Sequence, residues 1–146
     1  MYSMNGHALS QSEYLTVLTH APADDVKLLA ESVIPLLGEI RVLVNRTGLV
    51  MLPYTDSAKG TLFHLGEVLV SESHVQIMGG VEGYAVCTGR DLEQSLAVAL
   101  LDAAFTAGIT RDEIAAFVMR QAAAQAAADD VLLRGVEATR VEMETF

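Results

Sequence analysis

The chain predicts an α+β fold: an antiparallel β-meander of about four strands, flanked by N-terminal and C-terminal helices. Three observations carry that expectation. Apolar residues recur at helical spacing over residues 10–35 and again from residue 91 onward, while residues 39–88 alternate with a period of two. The connections inside the alternating region are short, which excludes the long crossovers that parallel strands require. Helices, then strands, then helices is the order of an α+β protein rather than of alternating βαβ units. At 146 residues the chain fits one domain, residues 1–146, with residues 1–9 expected to be flexible.

Ser10 and Glu13 have capping-box spacing and open a helix running to about His20, with Tyr14, Val17 and Leu18 on one face. Pro22 suits the first turn of a second helix. Val26, Leu29, Ala30 and Val33 form its apolar stripe, and Pro35 ends it because the residue before proline resists helical dihedrals.

From Glu39 the period changes. Ile40, Val42 and Val44 alternate with Arg41, Leu43 and Asn45, and Thr47-Gly48 reads as a turn. Leu49-Val50-Met51-Leu52 is apolar at every position, the pattern of a central strand covered on both faces. Residues 55–60 form a polar loop. A long strand then reaches about Met78, with a bulge expected near residues 71–73, where the alternation slips. Gly79-Gly80 turns the chain, and residues 81–88 return it.

Gly89 supplies another turn, and Asp91, three residues before Gln94, caps the next helix. Leu92, Leu96, Ala99, Leu100 and Ala103 line one face of it and Val98, Leu101 and Phe105 another, so it is expected to be buried nearly all round. Thr110 and Glu113 repeat the capping-box spacing ahead of Ile114, Phe117 and Val118. That helix enters an alanine-rich run at residues 122–128, either an ordinary helix of strong propensity or, the favoured reading with so few charges elsewhere, a smooth face for close packing on another chain. Asp129-Asp130 is expected to cap or kink it.

Composition narrows the function. Nine Lys and Arg face nineteen Asp and Glu, a net charge of −10, so the basic footprint of a nucleic-acid binder is missing and a polyphosphate would be repelled. Charged residues are only 19% of the chain, too few to cover a monomer of 51% hydrophobic residues, so contact with another chain, self-association included, is expected. The single cysteine, Cys87, cannot form an internal disulfide and points to a reducing compartment. No signal peptide or membrane span is expected, and the cytoplasm is the expected location.

Motifs for chemistry are few. His7, His20, His64 and His74 lack metal-ligand spacing, Cys87 sits in an apolar strand, and no glycine pattern cradles a phosphate. No metal or cofactor is expected. What remains is the segment 63–91. Glu67 is a charge within a strand, a position that faces solvent or a partner. Gly89-Arg90-Asp91 holds a cation on a joint beside a helix N-terminus, where it suits an anionic ligand, a partner's carboxylate, or an ordinary ion pair with Asp91 or a neighbouring acid. Glu67, Gly89, Arg90 and Asp91 are therefore the candidate partner- or ligand-contact residues, and no catalytic residue is assigned.

Taken in order, several stretches resemble the PhnG family of the bacterial carbon–phosphorus lyase system. They are Glu13-Tyr14-Leu15-Thr16-Val17-Leu18-Thr19-His20-Ala21, Arg46-Thr47-Gly48-Leu49-Val50-Met51, and the block Phe63-His64-Leu65-Gly66-Glu67-Val68-Leu69-Val70-Ser71-Glu72. Gly83-Tyr84, Gly89-Arg90-Asp91, Ala99-Leu100-Leu101-Asp102-Ala103 and Thr139-Arg140-Val141-Glu142 follow. The chain departs from the family pattern at Glu72, where a basic residue is frequent, at Leu92, where lysine is frequent, and at Met143-Glu144, where an aromatic pair is common.

The resemblance implies a supporting subunit that acts with PhnH, PhnI and PhnL to form α-D-ribose 1-methylphosphonate 5-triphosphate from ATP and methylphosphonate. It also implies a core complex with PhnH, PhnI and PhnJ. The nucleosidase-like chemistry is attributed to PhnI, and the resemblance brings no catalytic residue to this chain. Two other readings stay open on the residues alone. One is a homo-oligomeric α+β small-molecule binding module unrelated to phosphonates. The other is an autonomous enzyme built on His64, Glu67 and Arg90, which requires a pocket gathering those three side chains.

Overall fold

In a computed structural model of the chain, the described residues are 3–4, 7–55 and 57–143. Two minimal strands, β1 (Ser3–Met4) and β2 (His7–Ala8), pair near the start, where the sequence offers no element. Then come α1 (Gln11–His20), α2 (Ala23–Val33) and a 3-10 turn (Ile34–Leu36). The strands β3 (Arg41–Thr55), β4 (Leu62–Gln76) and β5 (Glu82–Thr88) follow, and α3 (Leu92–Ala107) and α4 (Arg111–Met143) complete the order. The fold is α+β, with one antiparallel sheet in the order β3-β4-β5 and the helices packed on one of its faces.

The meander has three strands, not about four. Thr47-Gly48 does not turn: Thr47 pairs with Ser71 and Gly48 with Val70 inside one 15-residue strand. Gly48 keeps a negative φ, so its turn propensity is overridden by an unbroken ladder. Nor is Leu49-Val50-Met51-Leu52 a central strand. It lies on β3, a sheet edge, and all four side chains are exposed.

The expected bulge near residues 71–73 is also absent, since β4 holds its register there against both neighbours. The alternation slips because two serines face inward. Ser73 donates to Asn45 Oδ1 at 2.9 Å and shares a 2.9 Å hydrogen bond with Ser95 on α3, while Ser71 points at the Cys87 carbonyl. The real irregularities are an extra residue at Leu43 on β3 and one at Leu65 on β4.

The inner face of β4 and β5 presents Ser71, Ser73, Val75, Gly83, Ala85 and Cys87 to α3, which is buried from Ala97 to Phe105. Gly83 makes this approach possible. A Cβ at that position would lie 2.0 Å from the Ala99 carbonyl oxygen and 2.8 Å from the Ala103 nitrogen, both helix backbone. Leu18, Val26, Val33 and Leu37 from the N-terminal helices, with Ile114 and Val118 from α4, close the core on the far side of α3.

Asp102, almost fully buried on α3, ties three elements together. Its carboxylate accepts from the Tyr14 hydroxyl, from the Gln11 amide at 3.2 Å and from the Tyr84 backbone N–H at 3.0 Å. Burial, and then the bond to Asp102, push the Tyr14 phenol well above its ordinary value of 10.0. An unpaired buried charge would be costly, and this one is satisfied from a helix, a strand edge and a phenol.

Two expectations for α4 fail. The Thr110 hydroxyl does not cap it; it is buried without a hydrogen-bond partner among the described residues, on a backbone with φ of 48°. Asp129-Asp130 does not cap a new helix, since α4 runs through both residues, with Asp130 paired to Arg134 at 2.8 Å one turn on.

Candidate interaction surface at the root of a projecting arm

β5 pairs with β4 only over Val70–Gln76 on the β4 side. Beyond that point β3 and β4 continue alone, residues 49–55 against 62–69, as a two-stranded arm about 24 Å long. Five apolar side chains of the arm are exposed, Leu49 at 62%, Leu62 at 63%, and Val50, Met51 and Leu52 between them, while Val68 and Leu69 are half-buried. An isolated two-stranded ribbon is at best marginally stable in water, and a long apolar edge strand invites pairing or cover.

The candidate residues gather where this arm leaves the body. Gly89, at φ of 96°, ends β5, and its N–H donates to the Leu69 carbonyl at 2.8 Å. A side chain at that φ would be strained, and the turn it permits sends the chain directly into α3. Glu67 stands two residues along β4 from Leu69, exposed and paired in register with Met51.

Asp91 faces the body. It caps α3 by accepting from the Gln94 N–H at 3.1 Å, and it binds the Lys27 ammonium of α2 at 2.8 Å. That hydrogen bond holds the Asp91 carboxyl below the usual carboxylate range and lifts the lysine above its own. Lys27 also lies 3.8 Å from Glu93. With Asp91 engaged this way, Arg90 is exposed and makes no ion pair or hydrogen bond among the described residues, contrary to the simple expectation of a pair with its neighbour. Lys27 was not legible as the partner of Asp91, because 64 residues separate them and no local pattern links them.

A second cluster lies on the outer face of the sheet. Arg46 Nε donates to Glu72 Oε1 at 2.9 Å, and the Tyr84 hydroxyl donates to Glu72 Oε2. The Tyr84 bond, followed by the Arg46 bond, lowers the Glu72 carboxyl, and the same contact raises the phenol. His74 lies 3.5 Å from Glu82 on the same face. Arg46, Glu72, Tyr84, Leu49, Val70 and Val86 line a shallow depression of about 420 Å³. Glu72 therefore offers no contact to an anion; it occupies the cation nearest to it. Sequence reading missed the trio because only the strand register brings residues 46, 72 and 84 side by side.

Burial, and then the charge of Asp91, raise the Cys87 thiol to about 11, so it is a core residue rather than a nucleophile. Neither this depression nor the two smaller ones, beside Gly79-Gly80 and between α2 and α3, is lined by Glu67 or Arg90. The side chain of His64 lies outside the described residues, as do Glu144 and the side chain of Met143.

The family model described as phosphonate metabolism protein PhnG matches residues 10–146. The chain belongs to the PhnG family. Membership places it in phosphonate metabolism, as a component of the carbon–phosphorus lyase system. A search of curated proteins returns no match to the chain. The matched region takes in the arm, its root and α4, so the exposed elements are part of the PhnG pattern and not an appendage to it. No helix among the described residues is long and apolar enough to cross a membrane.

Proposed function

We propose that this PhnG-family chain is a single-domain, non-catalytic subunit of a cytoplasmic carbon–phosphorus lyase assembly. In this reading it works with PhnH, PhnI and PhnL in forming α-D-ribose 1-methylphosphonate 5-triphosphate from ATP and methylphosphonate, and it joins PhnH, PhnI and PhnJ in a core complex. The observation that carries the reading is the uncovered arm. A compact monomer of 15.6 kDa exposes about 7,200 Å². This chain exposes 9310 Å². The excess, about 2,000 Å², is shared by the arm and the other exposed elements, α4 included, and is of the size one partner contributes to a large obligate interface.

Displacement at the ribose C1′ requires an aligned phosphonate oxygen and exclusion of water, which would otherwise compete as the nucleophile. A subunit without catalytic groups serves that reaction by covering and shaping its partner's site. We place the contact with PhnI at the root of the arm, with Glu67 and Arg90 in it and Gly89 and Asp91 holding Arg90 outward. The test is co-expression with the cognate PhnI, co-purification, and an assay of triphosphate product. Glu67→Ala and Arg90→Ala are expected to weaken assembly and product formation together. If both variants assemble and react like the native chain, the contact lies elsewhere; if the native chain does not associate with PhnI, the subunit reading fails.

A further inference from the structure

The second uncovered element is the distal half of α4. Ile114 and Val118 are fully buried against the body, and Gln125, further along, donates its amide to the Val17 carbonyl of α1 at 3.0 Å. Beyond that hydrogen bond the residues of α4 are exposed through Thr139. The packed face does not end there. At 3.6 residues per turn, positions 114, 118, 125, 132 and 136 fall within about 40° of one line along the helix. The last two are Leu132, 67% exposed, and Val136, 57% exposed, with Val131 and Leu133 on either side. The line that buries the first half of α4 thus runs past the edge of the body, where Leu132 and Val136 carry it into solvent.

We propose that this distal half, residues 126–139, is a helical docking element that seats Leu132 and Val136 in an apolar groove on a different protein chain, a groove with a cationic rim. Continuity of the stripe locates the partner beside α1, where the packed face leaves Val17. Charge identifies the kind of partner. A second copy would bring another −10 to the contact, whereas a cationic rim complements both the net charge and Asp129, which stands beside the stripe and makes no ion pair among the described residues. Asp130, in contrast, is already matched by Arg134. An amphipathic helix laid in a groove through anchors one turn apart is a recurring recognition mode. This surface is separate from the root of the arm, and the inference rests on the subunit reading only for the proteins used to probe it.

The probes are PhnH, PhnI, PhnJ and PhnL, co-expressed with the tagged full-length chain. A Leu132→Glu, Val136→Glu double variant is expected to retain the helicity and melting temperature of the native chain, because both sites are exposed, and to lose co-purified partner about tenfold or more. Asp129→Lys is expected to lose more partner at 50 mM than at 500 mM salt. If the native chain assembles and the double variant assembles equally well, the docking inference fails while the subunit reading stands. If the native chain retains none of the four proteins, both fail. If the native chain alone is a dimer by light scattering and the double variant a monomer, the occupant is a second copy and the inference is overturned.

Discussion

Replacing Gly83 with alanine tests the closest packing in the molecule. The added Cβ would sit 2.0 Å from the Ala99 carbonyl oxygen, 2.8 Å from the Ala103 nitrogen and 2.9 Å from the Ala103 Cβ. Carbon and oxygen that are not bonded need more than 3 Å, so α3 must withdraw from β5 by over about 1 Å. Two of the three obstructing atoms are helix backbone and cannot rotate away. Withdrawal also stretches the 3.0 Å bond from the Tyr84 N–H to Asp102 and strands part of a buried carboxylate. Overpacking typically costs about 1–3 kcal/mol, and a rigid obstruction with a coupled buried hydrogen bond belongs at or above the top of that range. With an m-value near 2 kcal/mol/M, a loss of about 3 kcal/mol moves the urea midpoint down by about 1.5 M. Urea unfolding followed by circular dichroism measures it. Gly89→Ala is the control, because nothing lies within 4 Å of its added Cβ and only its φ of 96° is strained. A Gly83→Ala midpoint shift no larger than that of Gly89→Ala would refute the argument.

Asp91→Ala removes both the α3 cap and the partner of Lys27, and is expected to cost about 1 kcal/mol in the same melts; Lys27→Met, which spares the cap, should cost less. Cys87 is expected to resist thiol reagents at pH 8 in the native chain and to react rapidly once urea unfolds it, since its thiol is buried and raised to about 11. Folding raises the Tyr14 phenol above 10.0, so the folded chain keeps a proton that the unfolded chain releases in alkali. Stability tied to Tyr14 is then complete below pH 10 and falls above it by up to about 1.4 kcal/mol per pH unit, a slope that Tyr14→Phe should reduce in alkaline unfolding titrations.

Local chemistry made the element order legible. Ser10 and Asp91 have side chains that can hold a helix N-terminus, and both do so, through the Glu13 N–H at 3.2 Å and the Gln94 N–H at 3.1 Å. Tertiary context hid the rest. Gly48 has a turn former's freedom but spends it in a ladder that continues on both sides. Ser71 and Ser73 look like solvent-facing residues, yet they point into the core with hydroxyl partners supplied by β3, α3 and a carbonyl of β5. Thr110 has capping spacing but a left-handed backbone that withholds its hydroxyl from the helix. For Gly48 and the two serines the deciding neighbour is distant in sequence, and no window of local residues contains it.

The stretches that carry the family resemblance divide in space, and the division bears on function. Tyr14, Tyr84 and Asp102 come from three separate stretches and meet in one buried network, joined through the Tyr84 N–H rather than its side chain. With Gly83 they fix how α1, α3 and β5 pack, so their presence reports the fold. Glu67 and Arg90 take no part in that network and point away from the core. Asp91 separates the two roles within a single tripeptide: its carboxylate is claimed by Lys27 and the α3 N-terminus, and Arg90 has no ion-pair partner among the described residues of a chain of net charge −10. A lone exposed cation contributes little to folding, and here it stands on a turn fixed by Gly89, at the foot of an apolar arm that the chain itself does not cover. The effect of removing it should therefore appear in assembly and not in the melting temperature, the reverse of what is expected for Gly83.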